Sequence, residues 1–205
     1  MEHQKLIPEE DQELYVLQLK EAFNKYGTVT EEAWLGMLPT IRFQKIAKGD
    51  FMVRIGQVAR DIHFICKGAS RTYFIDTSGK VYTKNLFFEG EFPASLVSIL
   101  KKEPSYLCVE ALENSDIIHI NFDAFIAQSE KFPDLKNFYM QYLQKNWVIT
   151  NEQKQIAQIT ENATDRYLQL IGEKPELHKR IAQHHIAAHL GITPTQLSRI
   201  RKDLK

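Results

Sequence analysis

Hydrogen-bond donors and cations are concentrated between Thr193 and Lys202, close to the C-terminal end of the chain. Hydroxyl, amide and guanidinium groups of this kind donate to the edges of DNA bases and to backbone phosphates. The residues of this predicted DNA-contacting surface are Thr193, Pro194, Thr195, Gln196, Ser198, Arg199, Arg201 and Lys202. Their residue types predict that this part of the chain binds nucleic acid.

The apolar residues around this surface have the spacing of two short helices joined by a tight turn. They are Ile186, Leu190, Ile192, Leu197 and Ile200. We expect Gly191 to end the first helix with a positive φ, which glycine adopts without strain. Thr193 is expected to cap the second helix, with Pro194 at its first position, where a missing N–H costs nothing. Together these features predict a helix-turn-helix, whose second helix enters the major groove of DNA.

The charge distribution favours the same interpretation. From His178 to Lys205 the chain carries six Lys or Arg against one acid, Asp203, which is a net charge of +5. The whole chain is formally neutral, so residues 1–177 carry −5. Basic charge that is gathered in one segment is typical of proteins that bind nucleic acid. The alternative that the spacing leaves open is an ordinary helical hairpin with a solvated basic face.

Length and composition exclude several classes of protein. The chain has 205 residues, of which 43% are hydrophobic and 25% are charged, and these values predict a folded protein of one large or two modest domains. No stretch of about 18 apolar residues is present, so we expect no membrane span. Residues 1–4 lack the apolar core of a signal peptide, so we expect a cytoplasmic protein. Cys66 and Cys108 lie in apolar runs and are expected to be buried free thiols.

The elements that must position this surface fall into three zones. We expect helices near 9–26 and 30–38, and then a zone at about 41–121 with short strand-like runs every ten residues or so. These runs are 51–55, 62–66, 71–75, 81–88, 106–112 and 117–120. Turn sequences separate them, and a short helix at 96–101 interrupts them. This rhythm predicts a compact antiparallel sandwich or barrel.

The third zone begins with one long helix from about 134 to 158. Its predicted dimer seam is formed by apolar residues seven positions apart, which are Leu135, Tyr142, Ile149 and Ile156. Such a stripe can pair with the same helix of a second copy as a coiled coil. A second apolar line, Leu143, Trp147 and Val148, would cover the β-zone. The alternative is a long helix that packs only on its own chain.

With this order of elements the chain resembles the cyclic-AMP receptor protein/fumarate-nitrate regulator (CRP/FNR) family of bacterial transcription factors. The resemblance is strongest in the helix-turn-helix and in the turns at 48–50, 67–68, 76–79 and 89–92. It implies an α+β fold in three parts. These are a cyclic-nucleotide-binding-like jelly-roll barrel, or β-roll, with flanking helices (1–132), a dimerisation helix (133–159) and a DNA-binding helix-turn-helix domain (160–205).

The resemblance also implies partners and contacts. The implied partners are double-stranded DNA with a pseudo-palindromic operator and a second copy of the chain. RNA polymerase and an unidentified small-molecule effector are further candidates. The base-reading positions of the family fall on Pro194, Thr195 and Arg199, whereas Ser198, Arg201 and Lys202 would face phosphates. Because a proline cannot donate, one base contact of the family is absent and the family's operator sequence should not be transferred.

The expected effector pocket departs from the family pattern. Cyclic-nucleotide-binding members hold the phosphate and ribose with a Gly-Glu pair and, about ten residues later, an Arg followed by a small hydroxyl residue. The matching positions here are Ala94-Ser95 and Ser105-Tyr106, which offer no guanidinium. The candidate pocket residues are Phe92, Ala94, Ser95, Ser105, Tyr106, Thr150 and Asn151. We therefore expect no binding of cyclic AMP, and either an aromatic-filled cavity or a different small ligand.

Enzymatic function is not expected. A cupin-type small-barrel enzyme would need an inward-facing His-x-His pair, and the β-zone has none. The chain also lacks a G-x-S-x-G sequence, a P-loop and a dinucleotide-binding fingerprint. We accordingly expect no catalytic residue, no metal site and no cofactor. A ligand-sensing or protein-interaction module that no longer touches DNA remains the other alternative, although the intact Thr195, Arg199, Arg201 and Lys202 argue against it.

Overall fold

The computed structural model describes residues 7–204, and its first elements are two helices that lie against the β-roll. Helix α1 (Glu9–Asn24) carries three acids in its first turn, where they stabilise the positive end of the helix dipole. Helix α2 (Glu31–Met37) is capped by the Thr30 side chain, which accepts a hydrogen bond from the Ala33 N–H, and a 3₁₀ turn (Leu38–Thr40) follows it. Both predicted helices are confirmed, with slightly shorter bounds.

Two antiparallel sheets form the β-roll. The first has the strand order β1-β7-β3, and the second has the order β2-β6-β4-β5. The strands are β1 (Ile41–Ile46), β2 (Phe51–Val53), β3 (Asp61–Lys67), β4 (Ser70–Ile75), β5 (Val81–Phe87), β6 (Cys108–Ala111) and β7 (Ser115–Asn121). Helix α3 (Leu96–Lys101) lies between β5 and β6 in sequence, and helix α4 (Phe122–Lys131) follows β7. This architecture agrees with the prediction from the sequence, except that strand β1 and helix α4 were not predicted.

Separate apolar cores lie between the sheets and outside them. Side chains from both sheets, such as Ile65, Val109 and Ile117, meet in one buried cluster inside the roll. On the outer side of the first sheet, the N-terminal helices pack against the beginning of the long helix, where the rings of Phe23 and Phe138 stack with centroids 3.7 Å apart. Cys66 and Cys108 are buried free thiols, as expected.

The long helix is continuous from residue 133 to residue 160 but is not α-helical throughout. Helix α5 (Pro133–Leu143) and helix α6 (Thr150–Thr160) are joined by a π-helical segment (Gln144–Ile149). The Thr150 hydroxyl donates to the Lys145 carbonyl at 2.8 Å, and the Asn146 amide donates to the Tyr142 carbonyl at 3.0 Å. The Thr150 N–H also donates to the Lys145 carbonyl, so this carbonyl receives both a backbone bond of the π-helical pattern and a side-chain bond.

The structure corrects the predicted dimer seam. Each π-type bond spans one more residue than an α-type bond, so side chains beyond the segment are rotated relative to a regular seven-residue stripe. Leu135 is fully buried in the core of its own chain, and Tyr142 packs against Tyr26 and Phe138. These two residues therefore do not belong to a surface seam, whereas Ile149 and Ile156 are 52% and 54% exposed.

The C-terminal part of the chain is a small helical domain that packs against the β-roll. It contains α7 (Ala163–Glu173), α8 (Leu177–Arg180), α9 (Gln183–Leu190) and α10 (Pro194–Asp203). Its buried core includes Leu177, Ile186 and Leu197, and the same cluster takes in Ala69 and Leu86 from the roll. Among residues 7–204 no helix is both long enough and apolar enough to cross a membrane.

Candidate functional site

The turn between α9 and α10 has the geometry that the sequence predicts. Gly191 ends α9 with φ 73°, in the left-handed region that favours glycine. At the start of α10, the Thr193 hydroxyl accepts from the Gln196 N–H at 3.2 Å, and the Gln196 side-chain oxygen accepts from the Thr193 N–H at 2.8 Å. This reciprocal pair is a capping box, and Pro194 follows the cap at the first helical position. Both helix ends are thus set by local residues.

Helix α10 presents one polar face to solvent. Leu197 points inward and is fully buried, and Ile200 packs against the same core. The predicted DNA-contacting residues lie on α10 or at its cap, and the exposed ones are Thr193, Pro194, Thr195, Gln196, Ser198, Arg199 and Lys202. Arg201 is the exception, because it is half-buried.

Two residues of this surface have structural contacts that the sequence analysis did not foresee. The side-chain oxygen of Gln196 is engaged in the capping box, which leaves only its amide N–H groups for a base. Arg201 is half-buried beside α7 and α8, where burial and the Arg201 charge together lower the pKa of His178. Arg199 and Lys202 are consequently the cations most accessible to a ligand on this face.

Arg180 connects the helical domain to the β-roll. Its guanidinium donates to Glu89 at 2.7 and 2.8 Å and to Glu113 at 2.6 and 3.2 Å, and these bonds raise its own pKa. Close by, Lys174 donates to both carboxylate oxygens of Glu91 at 2.8 and 2.9 Å. The charge of Arg180 is therefore neutralised inside the molecule, and the basic charge available to DNA is smaller than the +5 counted along the segment from 178 to 205.

The position expected to hold a cyclic phosphate contains two serines that satisfy each other. The buried Ser95 and Ser105 hydroxyl oxygens are 2.7 Å apart. The Ser105 hydroxyl donates its single proton to the Leu107 carbonyl at 2.7 Å and accepts from the Leu107 N–H, so Ser95 must donate to Ser105. Both hydroxyl protons are thus used within the protein.

Tyr106 does not fill the pocket, which corrects one of the expectations. Backbone hydrogen bonds join Ser105 to Gly56 and Gln57, so the Ser105 side chain points inward and that of the next residue points outward. Tyr106 is accordingly 55% exposed. Ser95 and Ser105 also lie outside the lining of the main cavity, whereas Phe92, Ala94, Thr150 and Asn151 are part of it.

The main cavity has a volume of about 780 Å³ and includes lining residues outside the predicted effector set. It is bounded by β4 and β5, by the long helix and by α7 and the end of α9. Its charged lining residues are Lys84, Glu91, Lys154, Arg166, Glu173 and Lys174. Sequence reasoning missed this set because its members come from three regions that only the tertiary structure brings together.

Two other features complete the candidate sites. From the π segment onward the long helix exposes an apolar stripe, whose members are Val148, Ile149, Ile156 and Ile159. Val148 therefore does not cover the β-zone, which corrects its predicted place.

Within residues 7–204 no group of three or more His, Cys, Asp or Glu could hold a metal ion. His63 and His119 form a buried pair in the roll with their Nδ1 atoms 2.8 Å apart.

Comparison with known proteins identifies the β-roll. Residues 43–131 match the protein family described as "Cyclic nucleotide-binding domain". The match includes the serine pair, and neither Ser95 nor Ser105 supplies a charge at the positions where the family resemblance places the phosphate contacts.

The whole chain also has known structural relatives. Catabolite activator protein from Thermus thermophilus is similar with a TM-score of 0.53 and 16% identity, over 86% of this chain and 84% of that one. FixK2 from Bradyrhizobium japonicum is similar with a TM-score of 0.65 and 14% identity, over 80% and 84%. The c-di-GMP-responsive regulator CLP from Xanthomonas campestris is similar with a TM-score of 0.65 and 13% identity, over 85% and 91%.

At these low identities, the structural similarity shows a shared fold. The resemblance to the CRP/FNR regulators that the sequence carries is confirmed at that level, as is the α+β fold of a β-roll with flanking helices and C-terminal helices. No curated protein matches the chain in sequence.

Proposed function

We propose that this protein is a dimeric, sequence-specific DNA-binding transcriptional regulator whose cyclic nucleotide-binding domain acts as a sensor. The observation that carries the proposal is helix α10, which is capped at its start, anchored by the buried Leu197 and exposes a polar and basic face. A hairpin with a merely solvated surface needs no such agreement between capping, turn and exposed donors. Arg199 would read a base edge, and Lys202 would contact a phosphate.

The second copy of the chain would pair through the exposed stripe that runs from the π segment into α6. Ile149 and Ile156 are seven residues apart, and Ile159, three residues beyond Ile156, is 85% exposed. Spacings of seven and three residues match the a and d positions of a coiled coil. An isolated chain would leave this stripe in water, whereas a paired helix would bury it. This seam keeps Ile149 and Ile156 of the predicted stripe and leaves out Leu135 and Tyr142.

Pairing of the long helices accounts for how DNA would be read. A dimer with two-fold symmetry places two recognition helices in successive major grooves, about 34 Å apart, on a pseudo-palindromic operator. In this arrangement residues 1–132 form the sensor, 133–159 the dimerisation helix and 160–205 the DNA-binding domain. RNA polymerase and a small-molecule effector would be its further partners.

Cyclic AMP is not the effector in this proposal. The Ser95 and Ser105 protons are already used inside the protein, and the adjacent backbone includes Pro93, which has no N–H. A cyclic phosphate is a full anion, and burying it without a cation costs several kcal/mol. The local chemistry therefore disfavours the nucleotide for which the family is known.

Selection of random DNA duplexes on the purified protein tests the function. We expect enrichment of a sequence with inverted repeats, because a symmetric dimer reads two half-sites. The two accessible cations per subunit on α10, Arg199 and Lys202, predict a log–log salt slope of roughly −4, from about four neutralised phosphates. Recovery of duplexes without any shared sequence would contradict the proposal and would favour the interaction module that does not touch DNA.

A further inference from the structure

Two exposed lysines from different elements contribute to the lining of the main cavity. Lys84 belongs to strand β5, and Lys154 belongs to helix α6, so the fold brings their ammonium groups to one space from positions 70 residues apart in the chain. Neither lysine has a carboxylate within 4 Å among residues 7–204. The Lys154 ammonium donates only to the Asn85 side chain, at 3.3 Å, and that of Lys84 lies 5.5 Å from the centre of the Trp147 ring.

Both lysine side chains reach solvent, but nearby protein atoms partly desolvate their ammonium groups. Partial desolvation lowers the pKa of Lys84, and the charge of Lys154 lowers it further. Desolvation also lowers the pKa of Lys154, although Glu173 and Glu91 oppose this. Two like charges that lie in a concave site and lack counter-ions attract an anion, since low-dielectric walls concentrate the field.

The other charged residues of the cavity do not compensate the pair. The carboxylate of Glu91 is bonded to Lys174 through both oxygens, and that of Glu173 accepts from the Gln169 amide. Arg166 donates to the Glu161 and Leu190 carbonyls and adds a further positive charge. The lining therefore contains four basic side chains against two acidic ones.

His189 from helix α9 also lines the cavity. Its Nδ1 atom lies 3.3 Å from the Thr83 carbonyl oxygen. Burial and the charges of Lys154 and Lys174 lower its pKa to about 4, so its ring is neutral at pH 7. It therefore adds no charge to the empty cavity, although an N–H of the ring could donate to a bound oxygen.

The DNA backbone does not supply the missing anion. Gly191 is the last residue along the chain that lines the cavity, so no residue of α10 lines it. A separate, small molecule is therefore required. A volume of about 780 Å³ exceeds the needs of a free phosphate ion and lies in the usual range for sites that enclose a whole metabolite. The half-buried Trp147 ring and the ring of Tyr26 offer apolar wall area for the remainder of that molecule.

We propose that this cavity binds a small organic phosphate, whose phosphoryl oxygens lie between Lys84 and Lys154. The site lies outside the serine pair at which the family resemblance places the cyclic phosphate. Binding does not depend on the proposed function, but its consequence does. The ligand would touch the β-roll, the long helix and the helical domain at once, so it would favour one arrangement of these parts over another and thereby change the affinity for DNA.

The test uses the full chain and the fluorescence of Trp147. The only other tryptophan, Trp34, is buried among the N-terminal helices and should contribute a constant signal. Sodium pyrophosphate and ADP are titrated at an ionic strength held constant with sodium chloride, and adenosine serves as the uncharged probe. We expect saturable changes with ADP, with pyrophosphate or with both, and none with adenosine. Binding of ADP alone would show that the organic part is required, whereas equal binding of both would show that the phosphoryl groups suffice.

Variants assign the binding to the two lysines. The double variant Lys84→Gln/Lys154→Gln should weaken binding by about tenfold or more, because two cationic partners are removed. Lys84→Arg/Lys154→Arg keeps both charges and should retain binding, which separates loss of charge from loss of fold. Lys101→Gln/Lys102→Gln, on the exposed end of α3, is the matched control and should bind like the wild type.

Three results would overturn the proposal. The first is no saturable change with either anion up to about 10 mM, where any useful metabolite site would be filled. The second is equal affinity of the Gln double variant and the wild type. The third is binding of adenosine as tight as that of ADP. None of these results depends on DNA binding, so failure of this site and failure of the proposed function can be told apart.

Discussion

Helix α10, the proposed recognition helix, and the main cavity differ in how their polar groups are brought together. Helix α10 is built from residues that are close in sequence, and its cap, turn and buried anchor agree with one another. The serine pair has no charge at the positions where the family resemblance places the phosphate contacts, whereas the cations Lys84 and Lys154 line a cavity assembled from distant elements. The first region is therefore set by the local sequence, and the second by the tertiary structure.

The largest expected effect comes from breaking the proposed dimer, which should affect DNA binding but not the cavity. The double variant Ile149→Asp/Ile156→Asp places charges in the proposed seam and should cost about 3–5 kcal/mol of association, because the charges would be buried without partners. Sedimentation should show a monomer where the wild type is a dimer. Lys84 and Lys154 belong to the same chain, so ADP binding should persist while operator binding is lost. A wild type that is monomeric at micromolar concentration would contradict the proposed seam.

Low pH should destabilise both the β-roll and the helical domain, because each contains buried histidines. Burial lowers the pKa of His63 to about 4 and lowers that of its partner His119, and burial lowers those of His185 and His189 in the helical domain to about 4. The unfolded chain binds protons below about pH 6.5, whereas the folded chain does not until about pH 4, so stability is lost as the pH falls through this window. His63 alone should lower the free energy of unfolding by about 2 kcal/mol at pH 5.

Urea unfolding at pH 7.5 and pH 5 measures this loss. The variant His63→Gln/His119→Gln removes two of the titrating groups and should show a smaller difference between the two pH values, even if it is less stable at both. A wild type with equal stability at pH 7.5 and pH 5 would refute the assignment of neutral buried histidines.

Within the recognition helix, two exposed cations should behave differently. Arg199→Ala should remove a base contact worth about 1–3 kcal/mol and relax the sequence preference at one position in each half-site. Lys202→Ala should weaken binding to all duplexes alike and make the salt slope less steep. Competition assays with the selected operator and with single-base variants measure both effects. Equal behaviour of the two variants would remove the distinction between base and phosphate contacts.

The smallest expected effect is at the serine pair. Cyclic AMP and cyclic GMP at about 1 mM should give no saturable heat and no thermal shift, although a millimolar site would already stabilise the fold by about 0.4 kcal/mol. Isothermal calorimetry, with ADP as the positive arm, makes the measurement. A micromolar isotherm with either cyclic nucleotide would show that the backbone and the serines suffice for the phosphate.

Strand β1 and helix α4 show where sequence reasoning failed although a signal was present. In strand β1, Ile41, Phe43 and Lys45 occupy alternate positions, as strand residues on one face do. The polar residues and the short length of the segment nevertheless resemble a loop. It becomes a strand because all six of its residues pair with β7. Helix α4 begins with Asn121, whose side chain caps the Ala124 N–H, and it buries Phe122 and Phe125 at helical spacing. Its short length and its position directly after a strand concealed that pattern.

The long helix shows a different kind of failure. The seven-residue stripe correctly indicated a helix, but it did not indicate which positions face a partner. That choice depends on the π segment, which rotates the second half of the helix, and on the N-terminal helices, which cover Leu135. Side chains of Asn146 and Thr150 that bond to nearby carbonyls accompany the segment, and such bonds leave no periodic trace in the sequence.

By itself the sequence determined the order of the elements and the details of the recognition helix. Capping, a glycine turn and an apolar anchor act over a few residues, so their residue types are sufficient to predict them. Only the tertiary structure decided which face of the long helix is exposed, that Arg180 is neutralised by Glu89 and Glu113, and that Lys84 and Lys154 share one cavity. These contacts join residues far apart in the chain, and their energies depend on burial and on distances that exist only after packing.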